Sequence, residues 1–553
     1  MVLLQVRSIG GHYVYDACCA GMAILRFIHA CATVSPIQPA PQEYLLWTLF
    51  GNVPASVHRT QENLMPLAPT AAFIEGRWTD LETHFVVRSP VNQQMLAEVS
   101  DCGTREAEAA AQAATVAFAT WRQTTVYQRA AILSRWADLI QVHAEDLARL
   151  ITWEMGKPIR QSRAEIKTAV ALARWYAEEC KRVTGESIPS QFPDKRLQIW
   201  KVPVGPVFAI TPWNSPVSMV VRKIAPALAA GCTVILKPDE QTPLSALRLA
   251  ELWAEAEGPA GTLQVLPSAD PAPLAERLMA DSRIAKLSFT GSTAVGQKLY
   301  AQGSPTIKRL SLELGGHAPV LIFADADIDA AVAMTIHAKF RYAGQSCVAA
   351  NRLYVDEAIL PEFTARYLEA MGHLKIGDPF AEDTDIGPLV SEAAVQKFKA
   401  QLQDAMDRGA RLLCGGDAQG LWCSPTLLAD LDPQSRIFHE ESFSPLLPIQ
   451  GFRSEAEAIA RANDTPYGLA AYLWPRDLGR AYRVAEALQC GIVGVNDGSP
   501  ATPQAPFGGN RLSGLGVEGG KWGLEEYLQL RYVSFQLPPA PATGDLESAL
   551  SYL

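Results

Sequence analysis

Cys347 follows Gly344-Gln345-Ser346, and upstream of it Glu313 stands in Leu312-Glu313-Leu314-Gly315-Gly316. A thiol is the side chain with an appreciable anionic fraction near neutral pH, and a carboxylate can later deprotonate water. Together the two suggest covalent catalysis followed by hydrolysis. A lone cysteine is more often a small buried hydrophobe, which is the reading for the other cysteines of this chain. Cys347 differs in its small polar approach. That approach reads as leading into an apolar helix, whose N-terminus would lower the thiol pKa from about 8.5.

A second candidate is the run Phe289-Thr290-Gly291-Ser292-Thr293-Ala294-Val295-Gly296. It follows a strand candidate and opens a helix, where backbone N–H groups and the helix dipole can receive a pyrophosphate. Its spacing is GxxxxG rather than GxGxxG, so a turn that simply needs glycine competes with this reading. Lys237-Pro238-Asp239-Glu240 ends another strand of the same unit, the end at which ligands of parallel sheets gather. A carboxylate there can accept from ribose hydroxyls and would repel a 2′-phosphate. A solvated surface pair of Lys237 and Glu240 is the alternative.

These residues need a frame. Alanine-rich stretches over 106–119, 127–142 and 160–180 carry apolar residues three and four apart, which predicts helices packed on a sheet. From residue 207 the texture changes to short β-branched runs at 207–211, 233–237, 263–266 and 286–289, about one helix apart. That alternation predicts a mostly parallel sheet covered on both faces. Strand candidates at 352–355 and 492–495, with amphipathic helices at 360–371 and 391–408, predict a second α/β domain. Residues 191–201 could form an extended hairpin.

Composition narrows the function. With 553 residues, 48% hydrophobic and 19% charged, the chain can build two or three domains with sizeable cores. A net charge of −10 and no basic run argue against a nucleic-acid surface and favour a small-molecule partner. CxxC, HxH and HExxH spacings are all missing, so neither a disulfide framework nor a metal site is expected. The apolar run 18–25, bounded by Asp16 and Arg26, is too short to span a membrane and makes a poor signal peptide. The chain is therefore expected in the cytoplasm, with residues 1–70 as a poorly ordered extension.

Taken together, Pro212-Trp213-Asn214, Lys237-Pro238-Asp239-Glu240, Phe289-Thr290-Gly291-Ser292-Thr293, Leu312-Glu313-Leu314-Gly315-Gly316, Gly344-Gln345-Ser346-Cys347, Glu440-Glu441-Ser442-Phe443 and Pro506-Phe507-Gly508-Gly509 resemble the aldehyde dehydrogenase superfamily over roughly 73–533. Val202-Pro203-Val204-Gly205, Lys339-Phe340-Arg341 and Ser513-Gly514-Leu515-Gly516 look most like succinate-semialdehyde dehydrogenases. The resemblance implies an α/β fold with two Rossmann-like parallel-sheet domains and a small β oligomerisation arm. It divides the chain into an NAD-binding domain over 71–312, with the hairpin 186–202 in the arm, a catalytic domain over 313–495, and a return over 496–553. A homodimer or homotetramer is implied.

By the same resemblance Cys347 attacks the aldehyde carbon, Asn214 and the Cys347 N–H hold the oxyanion, and Glu313 activates water against the thioester. The dinucleotide would lie on Thr211, Pro212, Trp213, Gly291, Ser292, Gly296 and Leu314, with Glu441 at the nicotinamide ribose and Phe443 against the ring. Lys237 and Glu240 would bracket the adenosine ribose, implying NAD over NADP. Arg222 and Arg341 would hold the distal carboxylate of succinic semialdehyde, giving succinate.

Three departures bear on substrate. Ser215 stands where most relatives carry phenylalanine, which could widen or wet the tunnel. Ala501, with Thr502 adjacent, falls where succinate-semialdehyde dehydrogenases use a serine as a third carboxylate contact. Ser444 replaces a usual glycine, and serine adopts positive φ less cheaply. A larger or uncharged aldehyde is thus the competing reading. A non-catalytic protein of the same fold is a third, opposed by the intact Cys347, Glu313 and Asn214.

Overall fold

The computed structural model describes residues 68–538, so all but the last three positions of the expected extension lie outside the described residues. After four short strands within residues 72–100 comes a helical layer of four helices, Thr104–Trp121, Val126–Val142, Ala144–Met155 and Ile159–Glu179. Val126–Val142 starts at a reciprocal cap. Gln128 N donates to Thr125 Oγ1 at 3.2 Å, and Thr125 N donates to Gln128 Oε1 at 2.8 Å. Ala144–Met155 goes beyond the sequence expectation. It comes after its predecessor with one bent residue between, His143, and no glycine or proline marks the break. Trp136 and Trp121 meet Trp253 edge-on at 5.7 and 6.4 Å, and so fasten this layer to the helix Pro243–Glu255.

The first sheet has eight strands, in the spatial order Arg77–Thr79, Ala72–Ile74, Leu263–Val265, Val234–Lys237, Val207–Ile210, Lys286–Thr290, Arg309–Glu313 and Gly514–Leu515. The five from Leu263–Val265 to Arg309–Glu313 are parallel. Their cores, such as Val207, Phe208, Ile235 and Leu236, are fully buried, as expected of a sheet covered on both faces. The chain winds outward from Val207–Ile210 to Leu263–Val265, then crosses back to lay Lys286–Thr290 on the other side. A crevice opens beyond the carboxyl ends at such a reversal. Glu313, expected to open the second domain, is the last residue of a strand in this sheet. The edge strand Gly514–Leu515 can lie beside it because Gly514 has no side chain; a Cβ there would come within 1.8 Å of the Leu312 carbonyl oxygen.

The second sheet has seven strands, ordered Arg411–Cys414, Thr426–Ala429, Leu446–Phe452, Ala350–Asp356, Ala318–Ile322, Ala470–Trp474 and Ile492–Val495. All pairs but the first are parallel. A separate three-stranded antiparallel sheet joins Glu186–Ile188, Lys195–Pro203 and Leu528–Gln536. It exposes Trp200, Leu530, Tyr532 and Phe535. Among the described residues no helix is long and apolar enough to cross a membrane.

Candidate active site

A cavity of about 520 Å³ lies at the reversal in the first sheet. From that sheet it is lined by Pro212, Trp213 and Asn214 past Val207–Ile210, by Gly291 and Ser292 past Lys286–Thr290, and by Glu313 and Leu314. The second sheet sends loops that precede its strands. Cys347 comes just before Ala350–Asp356, Glu441, Ser442 and Phe443 before Leu446–Phe452, and Leu469 before Ala470–Trp474. Carboxyl ends of one sheet therefore face amino ends of the other.

The nucleophile loop departs from expectation. After the helix Ile328–Phe340, Tyr342, Ala343 and Gly344 take φ of 57°, 54° and 77°, and Cys347 sits in a turn that leads into a strand rather than a helix. Gly344 is obligatory, since a Cβ there would lie 2.2 Å from the Ser444 carbonyl oxygen. Asn214 Nδ2 donates to the Gln345 carbonyl at 3.0 Å, and Val390 N donates to Gln345 Oε1 at 3.0 Å. No helix N-terminus lies beneath the thiol. Burial pushes Cys347 up to about 12, aided by the Glu441 and Glu313 carboxylates, while Arg341 and Arg222 pull it down.

Glu313 is buried with neither carboxylate oxygen hydrogen-bonded. Burial first, then the nearby Glu518 charge, raises its pKa well above the usual carboxylate range, against the pull of Lys223 and Arg222. Behind it, Lys223 Nζ donates to Glu518 Oε1 at 2.6 Å and to Ser288 Oγ at 3.2 Å, and Tyr527 Oη donates to Ser288 Oγ at 3.2 Å. The sequence reading missed Lys223 and also Glu518 and Lys397, which line the cavity. Lys223 adjoins Arg222 and Glu518 lies two residues past the Ser513-Gly514-Leu515-Gly516 motif, but no local spacing ties the two together.

The Asn214 amide keeps its second hydrogen free, and its Oδ1 is buried without a partner. Glu441 Oε1 accepts from Gly316 N at 2.9 Å, and burial pushes the carboxyl up to about 7. Phe443 meets Trp213 edge-on at 5.5 Å. Its φ is 51°, so the strain expected at Ser444 falls one residue earlier, because the peptide turns before Ser444 packs its carbonyl on Gly344.

Ser292 caps the helix Thr293–Gly303, and a Cβ at Gly296 would meet Leu314 at 2.4 Å, so glycine lets this helix approach the cavity floor. Thr211 is buried and does not line the cavity; its N–H donates to the Lys237 carbonyl at 3.2 Å. Lys237 Nζ pairs with Glu240 Oε2 at 2.9 Å, and Glu240 lines a second cleft of about 790 Å³. The first cavity fits the nicotinamide half of a dinucleotide. A capped helix start, close glycine turns, aromatic walls and a carboxylate over the Gly315-Gly316 backbone are the groups that would hold one.

Arg222, from the helix Ser218–Ala230, is buried 4.6 Å from the Phe507 ring centre, with Nε 4.0 Å from Glu518 Oε2. Its Nε and Nη1 lack acceptors. Arg341 Nη1 lies 3.4 Å from Ser499 Oγ. Thr502 is exposed, so among the described residues the hydroxyl on Arg341 is that of Ser499, because the turn at Asp497 and Gly498 folds the near end of the loop inward.

Two mostly parallel sheets whose facing ends bring a thiol, a carboxylate and an amide to one cavity with the groups to hold a nicotinamide define an oxidoreductase of the covalent type. The chain belongs to the aldehyde dehydrogenase family, whose sequence profile matches residues 78–533, and it is an enzyme of aldehyde oxidation. It is 46% identical over 471 residues to the NADP(+) succinate-semialdehyde dehydrogenase of Escherichia coli, covering 84% of this chain and 98% of that one. It is 44% identical to the glutarate-semialdehyde dehydrogenase of Pseudomonas putida, with 84% and 97% covered. The crystal structure of succinate-semialdehyde dehydrogenase from Burkholderia pseudomallei superposes with a TM-score of 0.84 at 43% identity, over 85% of this chain and 99% of that one.

Proposed function

We propose that this enzyme oxidises a short aldehyde bearing a distal carboxylate, succinic semialdehyde to succinate, with NAD⁺ as the favoured cofactor. The observation that carries the reading is Arg222, a buried guanidinium with two nitrogens lacking acceptors. A buried cation left short of hydrogen bonds is costly, and an anionic substrate group would complete it. Arg341 supplies the second cation, and both guanidiniums pull on the Cys347 thiol, so both lie within electrostatic reach of the reacting sulfur. The names of similar proteins, semialdehydes of succinate and glutarate, support the same class.

In this reading the Cys347 thiol passes its proton to water in the cavity, and the thiolate attacks the aldehyde carbon, forming a C–S bond as the C=O π pair moves onto oxygen to give an oxyanion. The free Asn214 N–H and the Cys347 backbone N–H hold that oxyanion. A nicotinamide held by Glu441 and Phe443 would supply the acceptor for the hydride of the aldehyde carbon. The oxygen lone pair then re-forms the C=O, leaving a thioester on Cys347. Glu313, high in pKa and free of partners, takes a proton from water, whose oxygen displaces the sulfur to give the carboxylate.

Glu240, tied to Lys237, favours a free 2′-hydroxyl over a 2′-phosphate, although the similar E. coli enzyme is named for NADP(+). The three-stranded arm, with its exposed Trp200, Tyr532 and Phe535, supports assembly with further copies of the chain. The test is NADH formation by purified enzyme with succinic semialdehyde, glutaric semialdehyde and butanal. The carboxylated aldehydes should exceed butanal in kcat/KM by at least about tenfold. Equal values would remove the role of the arginines.

A further inference from the structure

Lys339 has no part in the chemistry above, yet it is a cation that the fold buries completely. It is the penultimate residue of the helix Ile328–Phe340. Its Nζ donates to Asn351 Oδ1 at 2.8 Å and to Ser442 Oγ at 3.1 Å, and the Ser442 hydroxyl donates to the same Asn351 oxygen at 3.0 Å. Both acceptors are neutral. Among the described residues no carboxylate forms a salt bridge with it. Burial lowers its pKa to about 7, and the charge that pulls it back up is that of Glu441. A buried cation without a carboxylate in contact is costly, and a neutral side chain of the same length would fill the position without that cost.

The partners of Lys339 explain why it is there. Asn351 is the second residue of the strand Ala350–Asp356, four positions after Cys347, and Ser442 stands between Glu441 and Phe443 on the cavity wall. One ammonium therefore ties the helix before the nucleophile loop to the strand after it and to the loop that carries Glu441 and Phe443. That last loop needs a tie. Phe443 is held at a φ of 51°, which a bulky residue keeps only where its surroundings over-determine it. The Glu441 carboxylate accepts one hydrogen bond, from Gly316 N, while Lys397 and Lys339 draw on its charge from two sides.

We propose that Lys339 is a positioning residue for the cofactor: through Ser442 it holds Glu441 and Phe443 where they would meet the nicotinamide ribose and ring, in register with Cys347. It touches no reacting atom. The knot of Lys339, Asn351 and Ser442 instead fixes two loops that reach the cavity from separate parts of the second sheet. The inference rests on a nicotinamide bound in this cavity, as proposed above.

The test uses the full-length enzyme, with Kd for NAD⁺ and NADP⁺ measured by calorimetry without aldehyde, beside KM for succinic semialdehyde and the melting temperature. Lys339→Met keeps the length of the side chain and removes its charge and donors. It should raise Kd for both cofactors by about tenfold, the effect of losing one charge-assisted hydrogen bond. KM for the aldehyde should stay within about twofold, and the melting temperature should hold or rise because a buried cation has gone. Ser442→Ala keeps the cation but cuts the tie, and should raise Kd by about threefold to fivefold. The double variant should bind within about twofold of Lys339→Met, since the two residues act through one contact. An unchanged Kd in Lys339→Met, or independent, multiplicative effects, would overturn the proposal. So would a higher Kd that comes with an equal loss for the aldehyde and a lower melting temperature, the mark of a residue that only supports the core. If Lys339→Met does not fold, Ser442→Ala decides alone: a raised Kd supports the tie and an unchanged one refutes it. A wild type that binds neither NAD⁺ nor NADP⁺ would sink the parent reading and this one with it, whereas a wild type that binds, with variants that bind as well, sinks only the role of Lys339.

Discussion

In the first sheet the functional side chains stand at the carboxyl ends of parallel strands, on turns that leave the strands directly: Glu313 is itself a strand residue, and Asn214 and Ser292 come within a few positions of a strand end. In the second sheet they precede the strands, on loops bent through left-handed residues at Tyr342, Ala343 and Phe443. The first group is placed by the sheet's own ladder. The second is placed by strain, close contacts and hydrogen bonds that cross from elsewhere, such as Asn214 to Gln345. Substitutions on the first side should change chemistry with little change in stability, and those on the second should change both.

Glu313→Gln sharpens this most. Steady-state turnover should fall by about 10²–10⁴-fold while one NADH per site still forms in a burst, with the melting temperature held or raised because a buried unpaired carboxyl has gone. Sustained turnover would show that another base serves. The pH profile carries the same signature. Below the raised Glu313 pKa the carboxyl is protonated and cannot take a proton from water, so wild-type turnover should climb with pH through that raised pKa, and this limb should vanish in the variant.

On the second side, Gly344→Ala should cost about a hundredfold in kcat/KM together with a clear fall in melting temperature, since its Cβ would press on the Ser444 carbonyl and displace the nucleophile. Loss of activity at unchanged stability would break the contrast. Arg222→Met or Arg341→Met should raise KM for succinic semialdehyde by at least about tenfold and leave butanal unaffected, because each charge-assisted hydrogen bond is worth roughly 1.5–3 kcal/mol. The smallest effect is expected at Glu240→Ser, a severalfold gain with NADP⁺ over NAD⁺; an unchanged ratio would put the ribose elsewhere.

Much of the first side was legible from the sequence. Short β-branched runs one helix apart report a parallel sheet, and Gly291 and Ser292 report a turn at a strand end, because both signals are local. The helix Ala144–Met155 escaped since only His143 separates it from its neighbour. The second side misled twice. A small polar run before Cys347 has the look of a helix start, but Ala350–Asp356 pairs as a strand with Ala318–Ile322 and Leu446–Phe452. The glycine-like strain attributed to Ser444 belongs to Phe443, because the Ser444 carbonyl had to seat against Gly344.

Residue chemistry alone singled out a thiol and a carboxylate, since few side chains can be nucleophile and base, while the amide came with the short motifs that place the chain in a family. Only the folded chain set their surroundings. Glu518 meets Lys223 across 295 residues of sequence, and Ser499 rather than Thr502 meets Arg341. Partners that distant are chosen by how the two sheets and their loops pack, and local periodicity carries no record of that packing.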